Sequence, residues 1–286
     1  MAFEPGDLLL AASDVDDSTI DLRNHRGAGR IVHLNASFEP RSTLWTGQEG
    51  LLVGLALDPA DGSLWCADPT ARALTRLSPD GERLPVPELP DRPWGTVAFD
   101  EAGRLLIAVH TRRGPVPDDA FGAANLLRRE GDGWRAFTLR SDGGHAGFHQ
   151  VSSLARKGAM IAHLAEGGRT IFRHDLETDE ALPPLLEVPD EPDQPRLFGV
   201  AALEDGWIVA AGKAVLRLDE EGHILTWWPT PSDKGWTRVT PAKNGRDFFL
   251  NNFLEGVIEK RRISDGEVVA RHDINRKCAL CGIAEV

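Results

Sequence analysis

The chain has 286 residues, of which 41% are hydrophobic and 27% are charged, and these fractions are typical of a folded globular protein. Its formal net charge of -12 opposes binding to nucleic acid or to an anionic membrane surface. The 29 glycines and 19 prolines indicate many turns rather than long helices.

The first residues, MAFEPGDLLLAASD, contain an apolar run that is too short for a signal sequence or a membrane span, and no basic residue precedes it. We therefore predict a cytoplasmic protein with neither a membrane nor nucleic acid as a partner. Cysteines occur only at positions 66, 278 and 281, which are too few for a disulfide framework. A hydrophobic core must therefore stabilise the chain.

Residues 7–47 contain three predicted strands, DLLLAAS, GRIVHL and STLWTG. Residues 54–82, GLALDPADGSLWCADPTARALTRLSPDGE, then predict a strand, an Asp-Gly turn, a strand, a short loop, a third strand and another Asp-Gly turn. The same pattern begins again at residues 94, 149, 197 and 236. An apolar segment flanked by proline, such as LPVPELP, supplies a fourth strand.

The predicted second strands end 42, 53, 48 and 41 residues apart, at Asp68, His110, His163, Ala211 and Asn252. A four-stranded antiparallel unit repeated at this interval is typical of a propeller blade. The N-terminal unit lacks a first strand, and the C-terminal CGIAEV matches the first strands VGLALD, WGTVAF and FGVAAL. We therefore predict an all-β, six-bladed β-propeller, closed by residues 279–286 as the innermost strand of blade 1.

The prediction gives one domain that covers residues 1–286. The approximate blade boundaries are 7–47 with 279–286, 51–90, 94–141, 149–190, 197–232 and 236–275.

The motif of residues 54–82 resembles the senescence marker protein/gluconolactonase-like six-bladed propellers and, more loosely, NHL-repeat propellers. The resemblance implies a metal on the propeller axis, held by Glu, Asn and Asp side chains, and hydrolysis of lactones or related esters. The first blade of that family carries a Glu-Gly-Pro run whose Glu binds the metal. Here the equivalent strand reads Cys281-Gly282-Ile283, which departs from the family pattern.

The repeat also predicts which residues surround the central opening. Residues that begin the innermost strands form one expected ring: Val53, Trp94, His149, Phe198, Trp236 and Cys281. Residues that end the second strands form a wider ring on the same face: Ser13, Asp68, His110, His163, Ala211 and Asn252. Polar groups that converge on a concave opening are the usual pattern of a binding site.

We expect a divalent metal ion held by His110, His149, His163 and Asp68. Imidazole ligands with one carboxylate favour zinc, iron or manganese over calcium, which prefers oxygen ligands. Such an ion would polarise a carbonyl or activate a bound water. In the alternative interpretation these side chains cap loops or bind a neighbouring blade, and Asp68 sets the turn that follows at Pro69.

Three aromatic residues, Trp94, Phe198 and Trp236, are candidate substrate contacts, together with Cys281, although aromatic side chains in this position also suit the core. Arg238 and Lys234, which lie beside these aromatic residues, are expected to hold a substrate carboxylate. His149, His110 and Arg238 are therefore the candidate catalytic residues.

The Cys278-x-x-Cys281 motif resembles half of a redox or zinc site, but no second cysteine or histidine pair in the sequence completes it. A thiol nucleophile at Cys281 would need a base within reach, and His149 belongs to the blade opposite.

Two long predicted loops, residues 14–28 and 111–125, join second to third strands and have the length of lids or binding elements. Their role stays open at this stage.

These features together predict an enzyme for a small molecule, with its site at the central opening and either metal-assisted hydrolysis of a lactone or ester or lyase chemistry on a carbonyl compound. Two alternatives remain: a propeller that binds a ligand or a protein without chemistry, and a metal-free enzyme that uses His and Cys as acid and base.

Overall fold

The computed structural model describes residues 2–16, 26–111, 116–145, 150–232 and 234–286. They form six four-stranded antiparallel sheets, which confirms the predicted all-β, six-bladed propeller.

The strands of blades 1 to 3 are β1 (Leu8–Val15), β2 (Gly27–Leu34), β3 (Pro40–Gly50), β4 (Gly54–Leu57), β5 (Leu64–Asp68), β6 (Ala73–Leu77), β7 (Arg83–Leu84), β8 (Trp94–Phe99), β9 (Leu105–Val109), β10 (Leu126–Glu130) and β11 (Gly133–Phe137). The strands of blades 4 to 6 are β12 (Ser153–Lys157), β13 (Met160–Leu164), β14 (Thr170–Asp175), β15 (Glu180–Glu187), β16 (Gly199–Leu203), β17 (Gly206–Ala210), β18 (Ala214–Leu218), β19 (Ile224–Pro229), β20 (Trp236–Pro241), β21 (Asp247–Asn252), β22 (Val257–Arg262) and β23 (Val268–Asp273). The last strand, β24 (Gly282–Glu285), belongs to blade 1.

The C-terminal strand closes the ring as predicted. β24 pairs antiparallel with β1, so that Leu10 lies opposite Ile283. Beyond the strand, the Val286 amide donates a hydrogen bond of 2.9 Å to the carbonyl of Asp7. The six innermost strands then contact one another in sequence around the axis, and β24 touches both β4 and β20. The two ends of the chain therefore complete one blade.

Close packing of the inner strands requires glycine at one recurring position. A Cβ added to Gly282 would lie 2.5 Å from the carbonyl oxygen of Val53, which belongs to the next blade. A Cβ added to Gly54 would likewise lie 2.5 Å from the carbonyl oxygen of Gly95. The glycine of the CGIAEV and VGLALD motifs thus lets neighbouring inner strands approach backbone to backbone.

The core is divided among the contacts between blades. In the described part of the chain, six clusters of buried apolar side chains each lie between two neighbouring blades. Alternate residues of one strand point to opposite neighbours: Trp65 and Ala67 face blade 3, whereas Leu64 and Cys66 face blade 1. This alternation provides the register by which positions in different blades are compared below.

No helix within the described residues combines the length and the apolar character that crossing a membrane would need.

Ring closure makes a testable prediction at Ile283, which is 7% exposed and packs in the cluster between blades 6 and 1. We expect Ile283→Ala to lower the free energy of unfolding by about 3 kcal/mol, because the change leaves a cavity in a packed core. The matched control is Ile224→Ala, at a strand residue that is 53% exposed, and its effect should stay within about 0.5 kcal/mol. Urea unfolding measures both, and equal effects would contradict the packing of β24 against blade 6.

Candidate active site at the channel mouth

The innermost strands of all six blades surround a central cavity of about 290 Å³. Its wall is built from the residues around Gly54, Gly95, Ser153, Val200, Arg238 and Gly282. The second strands end on the face where the inner strands begin. We call this end of the channel the mouth.

Glu166 is the acidic group that reaches the mouth from blade 4, directly after β13. Its short loop is tied down on both sides: the His145 amide donates to the Glu166 carbonyl at 2.9 Å, and the Gly167 amide donates to the Leu197 carbonyl at 2.8 Å. Gly167 has a φ of 69°, and a Cβ there would lie 2.5 Å from the Cβ of His145. Only glycine fits this turn without strain, so the loop holds the carboxylate in a defined place.

His110 lies beside Glu166 and comes from blade 3. The Nε2 atom of His110 is 3.8 Å from an Oε2 oxygen of Glu166. The backbone of His110 is fixed, since its amide donates to the Pro93 carbonyl at 3.0 Å and its carbonyl accepts from the Gln150 amide at 2.8 Å. The separation of the two side chains is longer than a hydrogen bond, but it suits a pair that closes around a ligand.

Arg238 crosses the channel. It belongs to β20 in blade 6, and its Nη1 donates a hydrogen bond to the carbonyl of Ser152 in blade 4. Burial is the main influence on the Arg238 guanidinium and lowers its pKa, whereas Glu166 and Cys281 act in the opposite direction. Glu166 and Cys281 belong to opposite blades, yet both lie close enough to Arg238 to affect its pKa. The three side chains therefore lie near one another at the axis.

Cys281 lies near Arg238 and Glu166 at the mouth, but it is not a reactive thiolate. It is buried, and burial raises the pKa of its thiol. Arg238 opposes this shift, while Glu166 and Asp68 reinforce it. The thiol is therefore protonated at neutral pH and is a poor nucleophile.

His163 does not belong to the mouth, which corrects the prediction. Leu164 points toward the next blade, blade 5, just as Ala67 points toward blade 3. Because Asp68 directly follows Ala67, its equivalent in blade 4 is Ala165, which directly follows Leu164. His163 lies two positions earlier, on the side of blade 3, where its ring stacks on Phe172 at 5.7 Å between centroids. Burial lowers the pKa of His163 to about 3, so the side chain is neutral within the blade contact.

Asp68 caps a turn, as in the alternative interpretation. One of its carboxylate oxygens, Oδ1, accepts hydrogen bonds from the amides of Leu51, Thr70 and Ala71 at 3.0, 2.9 and 2.8 Å. Burial raises the pKa of this carboxyl group, and these three hydrogen bonds oppose the shift. The side chain ties the loop before β4 to the loop after β5.

The predicted metal ligands therefore do not form a donor set in the described residues. The group of three potential ligands that these residues bring within 4.8 Å of one another is Asp219, Glu221 and His223, on the surface, and not His110, His163 and Asp68. The fourth predicted ligand, His149, lies outside the described residues. With His163 between blades and Asp68 engaged in a turn, these two side chains do not join His110 around a mononuclear ion.

The predicted aromatic wall also needs correction. Trp94 packs between blades 2 and 3 and donates from Nε1 to the Pro90 carbonyl at 2.9 Å. Trp236 packs between blades 5 and 6 and donates to the Ser232 hydroxyl at 3.1 Å. Both are 1% exposed, and Phe198 packs against the same cluster as Trp236. These rings fill the core and do not line the cavity.

Part of the second long loop is fixed against the body. Arg92 donates from Nε to Asp119 at 2.9 Å and from Nη1 to the Ala124 carbonyl at 2.5 Å. Residues 17–25 of the first loop and residues 112–115 of the second lie outside the described residues.

The mouth therefore combines an imidazole, a carboxylate, a guanidinium and a neutral thiol from four blades. The sequence pattern does not identify Glu166, because the predicted register of blade 4 lies two residues too early. The signal was present in the glycine pair at 167 and 168, which marks a turn directly after the strand. An acid-base pair next to a cationic group can move a proton on a bound anionic molecule.

No protein-family model and no curated protein matches this chain. Solved structures do match: a chain of a nidogen/laminin complex at 12% identity, with 97% of each chain covered and a TM-score of 0.67. The virginiamycin B lyase of Staphylococcus aureus matches at 14% identity over 97% of this chain and 88% of the other, with a TM-score of 0.58. A gluconolactonase of Xanthomonas campestris matches at 18% identity over 78% and 75%, with a TM-score of 0.55. At such identities the likeness shows the fold alone.

The buried His163 predicts a pH dependence of stability. Its pKa is about 3 in the folded protein and about 6.5 in an unfolded chain, so the unfolded state binds more protons between these values. Stability is therefore lost as the pH falls below about 6.5, by roughly 2 kcal/mol between pH 7 and pH 5. His163→Leu should remove this part of the slope, measured by urea unfolding at each pH.

The control is His223→Gln, on the surface, which should keep the slope that His163 causes. If the wild type and His163→Leu lose the same free energy of unfolding between pH 7 and pH 5, the conclusion that His163 is buried in its neutral form is wrong.

Proposed function

We propose that this protein is a metal-free enzyme for a small anionic carbonyl compound, with its site at the channel mouth. Its reaction is hydrolysis of a lactone or ester, or elimination next to the carbonyl. The observation that carries the proposal is the position of Glu166, 3.8 Å from His110 and close enough to Arg238 and Cys281 to shift the pKa of both groups.

Arg238 holds the anionic group of the substrate in this proposal. Its guanidinium has no carboxylate partner within 4.0 Å among the described residues, and it lines the cavity. A guanidinium can bind a carboxylate through two parallel hydrogen bonds, which orients the ligand as well as holding it. The carbonyl of the substrate then faces the mouth.

His110 and Glu166 perform the proton transfer. His110 removes a proton either from a water that attacks the carbonyl or from the carbon beside it, and Glu166 stabilises the imidazolium that results. The imidazolium then returns this proton to the leaving oxygen as the ester C–O bond breaks in hydrolysis, or to the group that departs from the next carbon in elimination. Arg238 also favours the negative charge that develops on the substrate oxygen. Cys281 contributes to the shape of the site, because its protonated thiol does not attack.

The propeller fold is compatible with an enzyme but does not specify one. A gluconolactonase and a lyase share the propeller fold with this chain. A fold hosts many functions, so the four side chains at the mouth, and not the likeness, support the proposed reaction.

The test uses a panel of lactones, esters and elimination substrates, each with and without a carboxylate group. We expect turnover of carboxylate-bearing compounds, and a fall in kcat of about 100-fold in Glu166→Gln and in His110→Gln. Arg238→Lys should raise KM for the charged substrates more than for the neutral ones, because lysine cannot form the two-pronged contact.

Glu187→Gln is the control, since Glu187 is exposed on the outer strand β15 and should leave the rate unchanged. We expect turnover to continue in the presence of a chelator. If a chelator abolishes turnover and added metal restores it, the metal-assisted reaction is favoured instead. Binding of a panel compound with no turnover in any assay would favour a propeller that binds without chemistry.

A further inference from the structure

The channel continues beyond Arg238, and its wall has an unusual charge. Within the described part of the chain, the residues that line the cavity include two arginines, Arg238 and Arg156, and no aspartate or glutamate. The whole chain carries 44 acidic residues and a net charge of -12. A cationic cavity inside an anionic protein favours a negatively charged ligand, because low-dielectric walls strengthen the field inside a cleft.

Arg156 stands near the far end of the channel. It belongs to β12, and its Nε donates to the Phe99 carbonyl of blade 3 at 3.1 Å. That hydrogen bond uses one of its five donors and fixes the guanidinium between blades 3 and 4. Among the described residues, no carboxylate lies within 4.0 Å of Arg156.

Arg238 marks the near end of the same cavity. Its hydrogen bond to the Ser152 carbonyl places the guanidinium across the channel, at the level where β12 begins. Ser152 and Arg156 are four residues apart in the same extended segment, which corresponds to about 13 Å at roughly 3.3 Å per residue. A ligand with anionic groups at both ends could therefore reach both arginines.

The wall between the two arginines is small and neutral. It includes Gly95, Val97, Ala155, Val200 and Ala201. A cavity of about 290 Å³ has the volume of roughly ten water molecules, at about 30 Å³ for each. Such a space suits a short, linear chain with an uncharged middle.

We propose that the channel binds a linear dicarboxylate, with one carboxylate on Arg238 and the other on Arg156. This inference rests on the anion-binding role of Arg238 in the proposed function, and it adds the substrate class. With the guanidiniums taken at this backbone spacing of about 13 Å, and a hydrogen bond of about 2.8 Å from each to a carboxylate, the two carboxylates of the ligand lie about 7 Å apart.

The experiment is calorimetric titration of the full-length protein with α,ω-dicarboxylates of four to nine carbons and with monocarboxylates of equal length. We expect the affinity to peak at about six to eight carbons, and to exceed that of the matched monocarboxylate by about 10-fold. A flat dependence on length would overturn the proposal.

Substitutions assign the two ends. Arg156→Gln should lower dicarboxylate affinity to the level of the monocarboxylate and abolish the length preference, while monocarboxylates bind as before. Arg238→Gln should weaken both classes. The matched control is Arg173→Gln, because Arg173 also lies in blade 4 and donates to a single carbonyl, that of Pro183, but outside the channel.

The outcomes separate this proposal from the proposed function. Dicarboxylate binding that Arg156→Gln leaves unchanged overturns the two-ended site, whereas turnover of single carboxylates would still support the acid-base enzyme. Dicarboxylate binding with the expected length preference but no turnover supports the channel site and contradicts the catalytic role of His110 and Glu166. Thermal unfolding of each variant checks that it is folded, and the length series on wild type decides the matter if Arg238→Gln does not fold.

Discussion

The pairing of β24 with β1 is the interaction on which the rest of the structure depends. Both strands are nearly fully buried, and they bring together residues that are more than 270 positions apart in the chain. Closing so long a loop has an entropic cost, which the backbone hydrogen bonds and the apolar contacts of Leu10 and Ile283 offset together. Closure also removes the open sheet edges that an incomplete ring would expose to another chain.

Closure determines the chemistry at the mouth as well as the stability. Cys281 directly precedes β24, so the thiol reaches the axis only when that strand is in place. Glu166 arrives from the opposite blade and Arg238 crosses between blades 6 and 4. Each of these side chains is fixed by backbone hydrogen bonds in a rigid sheet or a short turn, which limits the reorganisation needed when a ligand binds. The burial that disfavours the charged Arg238 also strengthens its interaction with an anion.

The repeat in the sequence is sufficient to predict the six blades and the closing strand, because period-2 alternation and Asp-Gly turns recur at a blade length. The details of the site were less accessible. Alternate side chains of a strand share a face, so a register error of two residues in blade 4 does not change the face on which His163 is predicted to lie. It does place His163 about 7 Å along the strand from its true position. Trp94 and Trp236 begin inner strands as predicted, but their rings turn toward the preceding blade, since the contacts between blades have room for large apolar groups. Glu166 sits in a turn, where no periodic pattern specifies a position.

Hydrogen exchange of the C-terminal fragment, residues 279–286, tests ring closure most directly. The amides of Cys281 and Val286 donate to the carbonyls of Ala11 and Asp7 at 3.0 and 2.9 Å. If β24 closes the ring, this segment exchanges as slowly as the buried strand β9, because both open only when the sheet opens. Exchange at the rate of a free chain end, while β9 stays protected, would contradict ring closure.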